Sequence, residues 1–149
     1  MKLNHITLLV SDIERSKKFY KRVFNFDVRF EKEIYGEQFS KVTGTPNLRL
    51  KFAVLQLPNT DCILELAQFI SPKKEVHSDF RHIAFEVDNV DRIYKEIKER
   101  GVETISKPVT ISNFHPNLDG KRFFYCKDLD GNLIELFKSQ KNLYSIGIE

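Results

Sequence analysis

The chain has 149 residues, of which 41% are hydrophobic and 30% charged, and a formal net charge of +3. That is the length of one domain with room for a buried core. Its basic residues are spread along the chain, which argues against a nucleic-acid-binding face. No apolar run approaches the roughly 20 residues of a membrane helix.

The elements are predicted in chain order from hydrophobic period and breaker residues. Residues 3–10 are strongly apolar and predict a strand. Ser11, Asp12 and Glu14 cut that run short, so it does not read as a signal peptide, and a cytoplasmic protein is expected. Ser11 or Asp12 caps a helix whose apolar face is Ile13, Phe19, Tyr20, Val23 and Phe24, with Asn25 as its stop. Residues 27–34 predict a strand and residues 36–47, with Gly36, Gly44 and Pro46, a loop. Leu48–Leu57 and Cys62–Phe69 predict a hairpin turning at Pro58-Asn59-Thr60-Asp61. Ser71-Pro72-Lys73-Lys74-Glu75 lies within an expected linker, residues 71–79.

The plan then repeats. His82–Val87 predicts a strand. Asp88 or Asn89 caps a helix carrying Val90, Ile93, Tyr94 and Ile97, and Gly101 stands at its C-terminal stop. Val102–Ile105 predicts a short strand and residues 107–120 a loop. Arg122–Lys127 and Asn132–Lys138 predict a hairpin around Asp128-Leu129-Asp130-Gly131. The expected organisation is a single domain over residues 1–149. Module one covers 1–70, module two 80–138 and a C-terminal tail 139–149. Each module reads β-α-β-β-β, an α+β pattern. The closing hairpins argue against a parallel nucleotide-binding sheet, and no glycine-rich phosphate motif is present. Cys62 and Cys126 lack the close spacing of a metal or redox motif and are expected to be reduced and buried.

The repeat extends to single residues. Asn4-His5-Ile6-Thr7-Leu8-Leu9-Val10 answers to Arg81-His82-Ile83-Ala84-Phe85-Glu86-Val87, and Ile63-Leu64-Glu65-Leu66 answers to Leu133-Ile134-Glu135-Leu136. Strand side chains alternate between faces. Ile6, Leu8 and Val10, like Ile83, Phe85 and Val87, suit the face beneath a helix. His5, Glu65, His82 and Glu135 then lie on the opposite face. A single strand histidine is usually structural, and a single strand glutamate usually faces solvent. The same pair at the same place in both modules points instead to a metal site. Two carboxylates in an apolar cleft repel one another, and a divalent cation relieves both the repulsion and the burial. Two imidazoles and two carboxylates suit Zn, Ni, Co, Mn or Fe.

These stretches resemble the vicinal oxygen chelate superfamily, also called the glyoxalase/bleomycin resistance/dioxygenase superfamily, over roughly residues 3–138. The resemblance implies paired βαβββ modules whose mixed sheets form a cupped, barrel-like cleft around a divalent metal. It carries the ligand set over onto His5, Glu65, His82 and Glu135, in the order of glyoxalase I. Methylmalonyl-CoA epimerases are similar but have Gln at the position of Glu65. Their catalytic Glu would fall near Ala53 here. Extradiol dioxygenases match only His5, His82 and Glu135. Glutathione-using bacterial glyoxalases have Arg at the position of Leu9, which argues against glutathione as co-substrate.

The resemblance therefore implies a metal-dependent lyase or isomerase acting on a small vicinal-oxygen substrate, a hydroxy-carbonyl or thioester, by proton transfer through a metal-stabilised enediolate. Glu135 is the expected base and Glu65 the alternative. An extradiol-type Fe(II) dioxygenase and a metal-free drug-binding resistance protein are the competing functions. His115 and Tyr125 loosely match the dioxygenase signature but read more simply as a loop histidine and a strand tyrosine. Phe39, Phe69 and Phe114 are pocket candidates, and Arg49, Lys51 and Arg122 are candidates for an anionic substrate. A homodimer is expected, because open sheet edges invite pairing. Residues 36–47 and 110–120 are expected to act as lids over the cleft.

Overall fold

The computed structural model describes residues 5–43, 45–76, 82–113 and 119–140. The chain divides into two compact units, Met1–His77 and Ser78–Glu149. Among the described residues, no helix is long and apolar enough to cross a membrane.

The first unit runs β1 (Ile6–Leu9), α1 (Ile13–Phe24), β2 (Asp27–Tyr35), α2 (Glu37–Thr43), β3 (Arg49–Gln56) and β4 (Ile63–Ser71). Its sheet has the order β1-β4-β3-β2, with β1 parallel to β4 and the other pairs antiparallel. The second unit runs β5 (His82–Glu86), α3 (Val90–Glu99), β6 (Val109–Thr110), β7 (Arg122–Lys127) and β8 (Leu133–Lys138). Its sheet repeats the pattern as β5-β8-β7-β6, with β5 parallel to β8. The chain is thus the expected α+β pair of βαβββ modules.

Local chemistry fixes both long helices where the sequence predicts them. Asp12 caps α1, its carboxylate accepting from Arg15 N at 3.0 Å, and Asn25 ends it in the left-handed region at φ 60°. Asn89 caps α3 by accepting from Arg92 N at 2.9 Å. Gly101, at φ 74°, takes the chain out of that helix in a conformation side chains disfavour. Ile13, Phe19, Tyr20 and Val23 of α1 are buried, and the helix packs on β3 and β4. Beneath it Ala53, Leu55, Leu64 and Leu66 are buried. In the second unit α3 packs on β7 and β8, burying Val90 and Ile97 with Phe124, Ile134 and Leu136.

Two expectations are corrected. The stretch 36–47 contains a helix, α2, because residues 37–43 hold neither Gly nor Pro and the breakers Gly36 and Pro46 lie outside them. The predicted strand Val102–Ile105 is only a bridge from Thr104 to Cys126, flanked by hydrogen bonds from Lys127 N to Glu103 O and from Ile105 N to Tyr125 O. The paired edge strand is β6 instead, opposite Phe123 and Arg122. Part of the expected linker (77–79), part of the second expected lid (114–118, with Phe114 and His115) and most of the tail (141–149) lie outside the described residues.

Cys62 and Cys126 are free thiols; Cys126 is buried as expected, but Cys62 is exposed, because it lies at the turn just before β4 and not within the strand. Burial, with a smaller contribution from the Asp128 carboxylate, pushes Cys126 up from its ordinary 9.0 to about 12. A thiol whose folded value is raised contributes stability that is intact below about pH 9 and is lost as pH rises toward 12. Urea midpoints should therefore fall between pH 9 and 11, with a shallower slope in Cys126→Ala. Equal slopes in the two proteins would assign the alkaline loss to other groups.

Candidate metal centre

The two glutamates sit on the central strands β4 and β8, each flanked on both sides by a paired neighbour. On the first strand of each unit, the residue in register with the glutamate is Thr7 for Glu65 and Ala84 for Glu135. Each histidine stands two residues before that partner, so side-chain alternation returns it to the glutamate's face. The result is one imidazole–carboxylate pair per unit. His5 Nε2 lies 3.3 Å from Glu65 Oε2, and His82 Nε2 lies 3.1 Å from Glu135 Oε2. Both histidines are on sheet edges, which leaves their side chains 43% and 28% exposed, against 15% and 5% for the glutamates.

Of the four residues singled out by the repeat, the structure brings together His5 with Glu65 and His82 with Glu135. Within either unit, no third His, Cys, Asp or Glu among the described residues completes a cluster.

The pairs fit a metal in their donor separations. Two donors each about 2.1 Å from one ion, at right angles to each other, lie about 3.0 Å apart, and at a tetrahedral angle about 3.4 Å. The observed separations of 3.1 and 3.3 Å fall in that range. Glu135 Oε1 is buried without a hydrogen bond, and the cation that faces it in this structure is the Lys121 ammonium, 2.5 Å away, so this oxygen by itself does not call for a metal.

The two units then diverge. Glu65 accepts a 2.8 Å hydrogen bond from the Thr7 hydroxyl, whereas its counterpart faces Ala84. Across the sheet, Glu65 is in register with Val54 and Glu135 with Tyr125. The Tyr125 ring meets His82 edge-on at 5.3 Å. Burial, and then the Glu135 carboxylate, raises the Tyr125 phenol above its ordinary value, so it is a proton donor at neutral pH. Lys121 Nζ lies 2.5 Å from Glu135 Oε1, an ion pair outside hydrogen-bond geometry. Tyr125 was visible in the sequence but ambiguous. Lys121 was missed, because nothing in Gly120-Lys121-Arg122 separates it from a surface lysine until β7 is set in register with β8.

Two of the three cations proposed from sequence for an anionic substrate are engaged elsewhere. Arg49 pairs with Glu33. Arg122 grips both Asp91 oxygens at 2.9 and 2.6 Å and the Thr110 hydroxyl at 2.9 Å. Lys51 lines a small cavity of about 230 Å³ with Glu31, Glu33 and Ile13. Of the pocket aromatics, Phe69 lies under the Lys74 ammonium at 4.3 Å. A larger concavity in the first unit, about 830 Å³, is lined by Tyr35, Ser40, Asn47 and Arg49, among others, and neither His5 nor Glu65 borders it.

Comparison with known proteins bears on the family and the fold. The model of the Glyoxalase/Bleomycin resistance protein/Dioxygenase superfamily matches residues 2–136. An uncharacterized protein of Bacillus subtilis (strain 168), YwkD, is 31% identical over 140 residues, covering 91% of this chain and 95% of its own. The human mitochondrial methylmalonyl-CoA epimerase is 27% identical over 145 residues, covering 91% and 72%. Among solved structures, a glyoxalase family protein from Bacillus cereus superposes with a TM-score of 0.75 at 18% identity, covering 93% of each chain. The fosfomycin resistance protein FosX from Listeria monocytogenes, solved with Mn(II) and sulfate, superposes with a TM-score of 0.61 at 22% identity, covering 93% and 92%.

Proposed function

The chain belongs to the Glyoxalase/Bleomycin resistance protein/Dioxygenase superfamily, and on that premise we propose that it is a divalent-metal-dependent lyase or isomerase. Its substrate is a small molecule with two neighbouring oxygens, a hydroxy-carbonyl compound or a thioester. The observation that carries this reading is the doubled imidazole–carboxylate pair with donor separations of 3.1 and 3.3 Å. His5, Glu65, His82 and Glu135 would hold the ion, which is Zn, Ni, Co, Mn or Fe. When bound, it supplies Lewis acidity, polarising the two substrate oxygens so that the adjacent C–H becomes acidic.

This chain's residues perform the proton movement. Glu135 takes the proton at Oε1 or Oε2 and returns it to the neighbouring carbon, with Glu65 as the alternative base. Low exposure keeps water from competing for the proton at Glu135. Tyr125, neutral and in register with Glu135, donates a hydrogen bond where oxygen charge develops. Ala53 is fully buried and has no acid–base group, so no base acts from that position. A homodimer in the cytoplasm is the accompanying expectation.

A second reading is an extradiol-type Fe(II) dioxygenase, favoured by Tyr125 standing beside both His82 and Glu135. Glu65 counts against it, because a fourth protein ligand occupies a position that oxygen and a chelating substrate require.

Divalent metal at a hundredfold excess over its dissociation constant should stabilise the protein by about 2.7 kcal/mol. For a chain of this size that is a rise in Tm of about 5–10 °C. The rise should vanish in His82→Ala. No shift with any of the five metals would overturn the metal-dependent reading. Oxygen uptake coupled to catechol loss would replace it with the dioxygenase.

A further inference from the structure

Lys121 is more than a surface charge near the site. Its side chain is only 14% exposed. Its ammonium stands 4.8 Å from the centre of the Phe137 ring and 5.0 Å from that of Phe123, both within the range of cation–π attraction. Its backbone carbonyl accepts from Ile111 N at 3.0 Å, which fixes the start of β7. The charge is thus held at a defined point, 2.5 Å from the buried oxygen of Glu135.

At the matching position among its described residues, the first unit has no lysine. Where the second unit sets Phe123 against Phe137, the first sets Phe52 against Ala67. Two strand residues before Phe52 stands Leu50, where the second unit has Lys121 before Phe123. The repeat is therefore broken on the glutamate's own face, and broken by adding one cation with an aromatic seat. A metal ion neutralises Glu135 without help from lysine, so a metal site alone does not call for this residue.

We propose that Lys121 anchors a carboxylate of the substrate, so that the substrate class is a hydroxy or oxo acid whose free carboxylate lies one carbon from the metal-chelated oxygen pair. The proposal rests on the metal-dependent reading above. A divalent ion bound to Glu135 takes over the carboxylate's charge. The ammonium, still seated between its two rings, is left facing the ligand. A single ammonium matches a singly charged group, and its closeness to a metal-ligand oxygen restricts that group to the carbon next to the chelate.

The test uses Mn2+-loaded full-length protein and two probes with the same chelating hydroxyl–carboxylate pair. Tartronate carries one further carboxylate and glycolate carries none. Binding is read by water-proton relaxation, with no turnover required. A charge-assisted hydrogen bond is worth about 1.5–3 kcal/mol, or about ten- to a hundredfold in affinity. The wild-type preference for tartronate over glycolate should fall by that factor in Lys121→Met and in Lys121→Gln. Glycolate and Mn2+ binding should change little, and Lys121→Arg should keep the preference. Using two uncharged variants keeps the test decisive if one of them does not fold. An unchanged preference in a folded, Mn2+-binding uncharged variant would overturn the proposal. So would tighter Mn2+ binding with no change in preference, which would make Lys121 only a counter-ion of the metal-free protein. Absence of Mn2+ binding by the wild-type protein, with no other divalent ion replacing it, would instead overturn the metal-dependent reading and the anchor with it.

Discussion

Replacing Glu135 with Gln is expected to leave the fold intact, weaken divalent-metal binding and cut turnover by about 10²–10⁴-fold, the usual contribution of a positioned acid–base group. The amide has the shape of the carboxylate, so β8 keeps its register with β5 and β7. What is lost is the charge that faces His82 and Lys121 at 3.1 and 2.5 Å and the oxygen able to take a proton. Glu65→Gln should lose less, because Glu65 is more exposed and Thr7 donates a hydrogen bond that an amide oxygen also accepts. Steady-state kinetics and metal titration of the two variants, with urea unfolding to show that both are folded, make the comparison. Full turnover in both would remove the glutamates from the chemistry. A larger loss in Glu65→Gln would exchange their roles.

The sequence could carry this much of the site because the site is built from a repeat. Strand period places a side chain on one face or the other, and parallel pairing of the first and last strands brings His5 to Glu65 and His82 to Glu135. Both facts are local or nearly so, and both are written in the spacing of apolar residues. The helix ends were legible to within one residue, with Asp12 chosen over Ser11 and Asn89 over Asp88 only in the structure, since these caps act through their own backbone neighbours. What was not legible depends on register across a hairpin. Tyr125 becomes part of the site only because β7 pairs residue 125 with residue 135. Lys121 joins it only because the same register carries the chain back past Phe137 to the start of β7. No periodicity marks either residue, since a lysine at a strand end is commonplace. The short strand expected at Val102–Ile105 failed for a related reason. Its apolar residues suit a strand, but its backbone meets β7 at one bridge only before the chain moves on. Helix α2 was hidden by its flanking breakers, which mark the edges of residues 37–43 and not their interior.

Asp128→Ala is expected to destabilise the protein by about 2–4 kcal/mol, a large effect for a polar residue at a turn. The carboxylate is buried at the turn between β7 and β8. One oxygen accepts from Asp130 N at 2.9 Å and Asn132 N at 2.8 Å, and the other accepts from the Asn132 side-chain amide at 2.8 Å. Hydrogen bonds to a charged acceptor contribute about 1.5–3 kcal/mol each where the partners are buried, and less where water can replace them, as at a turn. Gly131 completes the turn at φ 81°, where a side chain would be strained. The Asp128 network sets the register that puts Lys127 opposite Leu133 and Tyr125 opposite Glu135. Losing it should loosen the hairpin as well as destabilise the fold, weakening metal affinity without touching a ligand. Asp128→Asn keeps one acceptor oxygen and should cost about half as much. Urea unfolding of the two variants, with metal titration of the folded fraction, reads both effects. If Asp128→Ala lay within about 0.5 kcal/mol of wild type, the ordinary range of a surface substitution, the hairpin would owe its register to the strands alone.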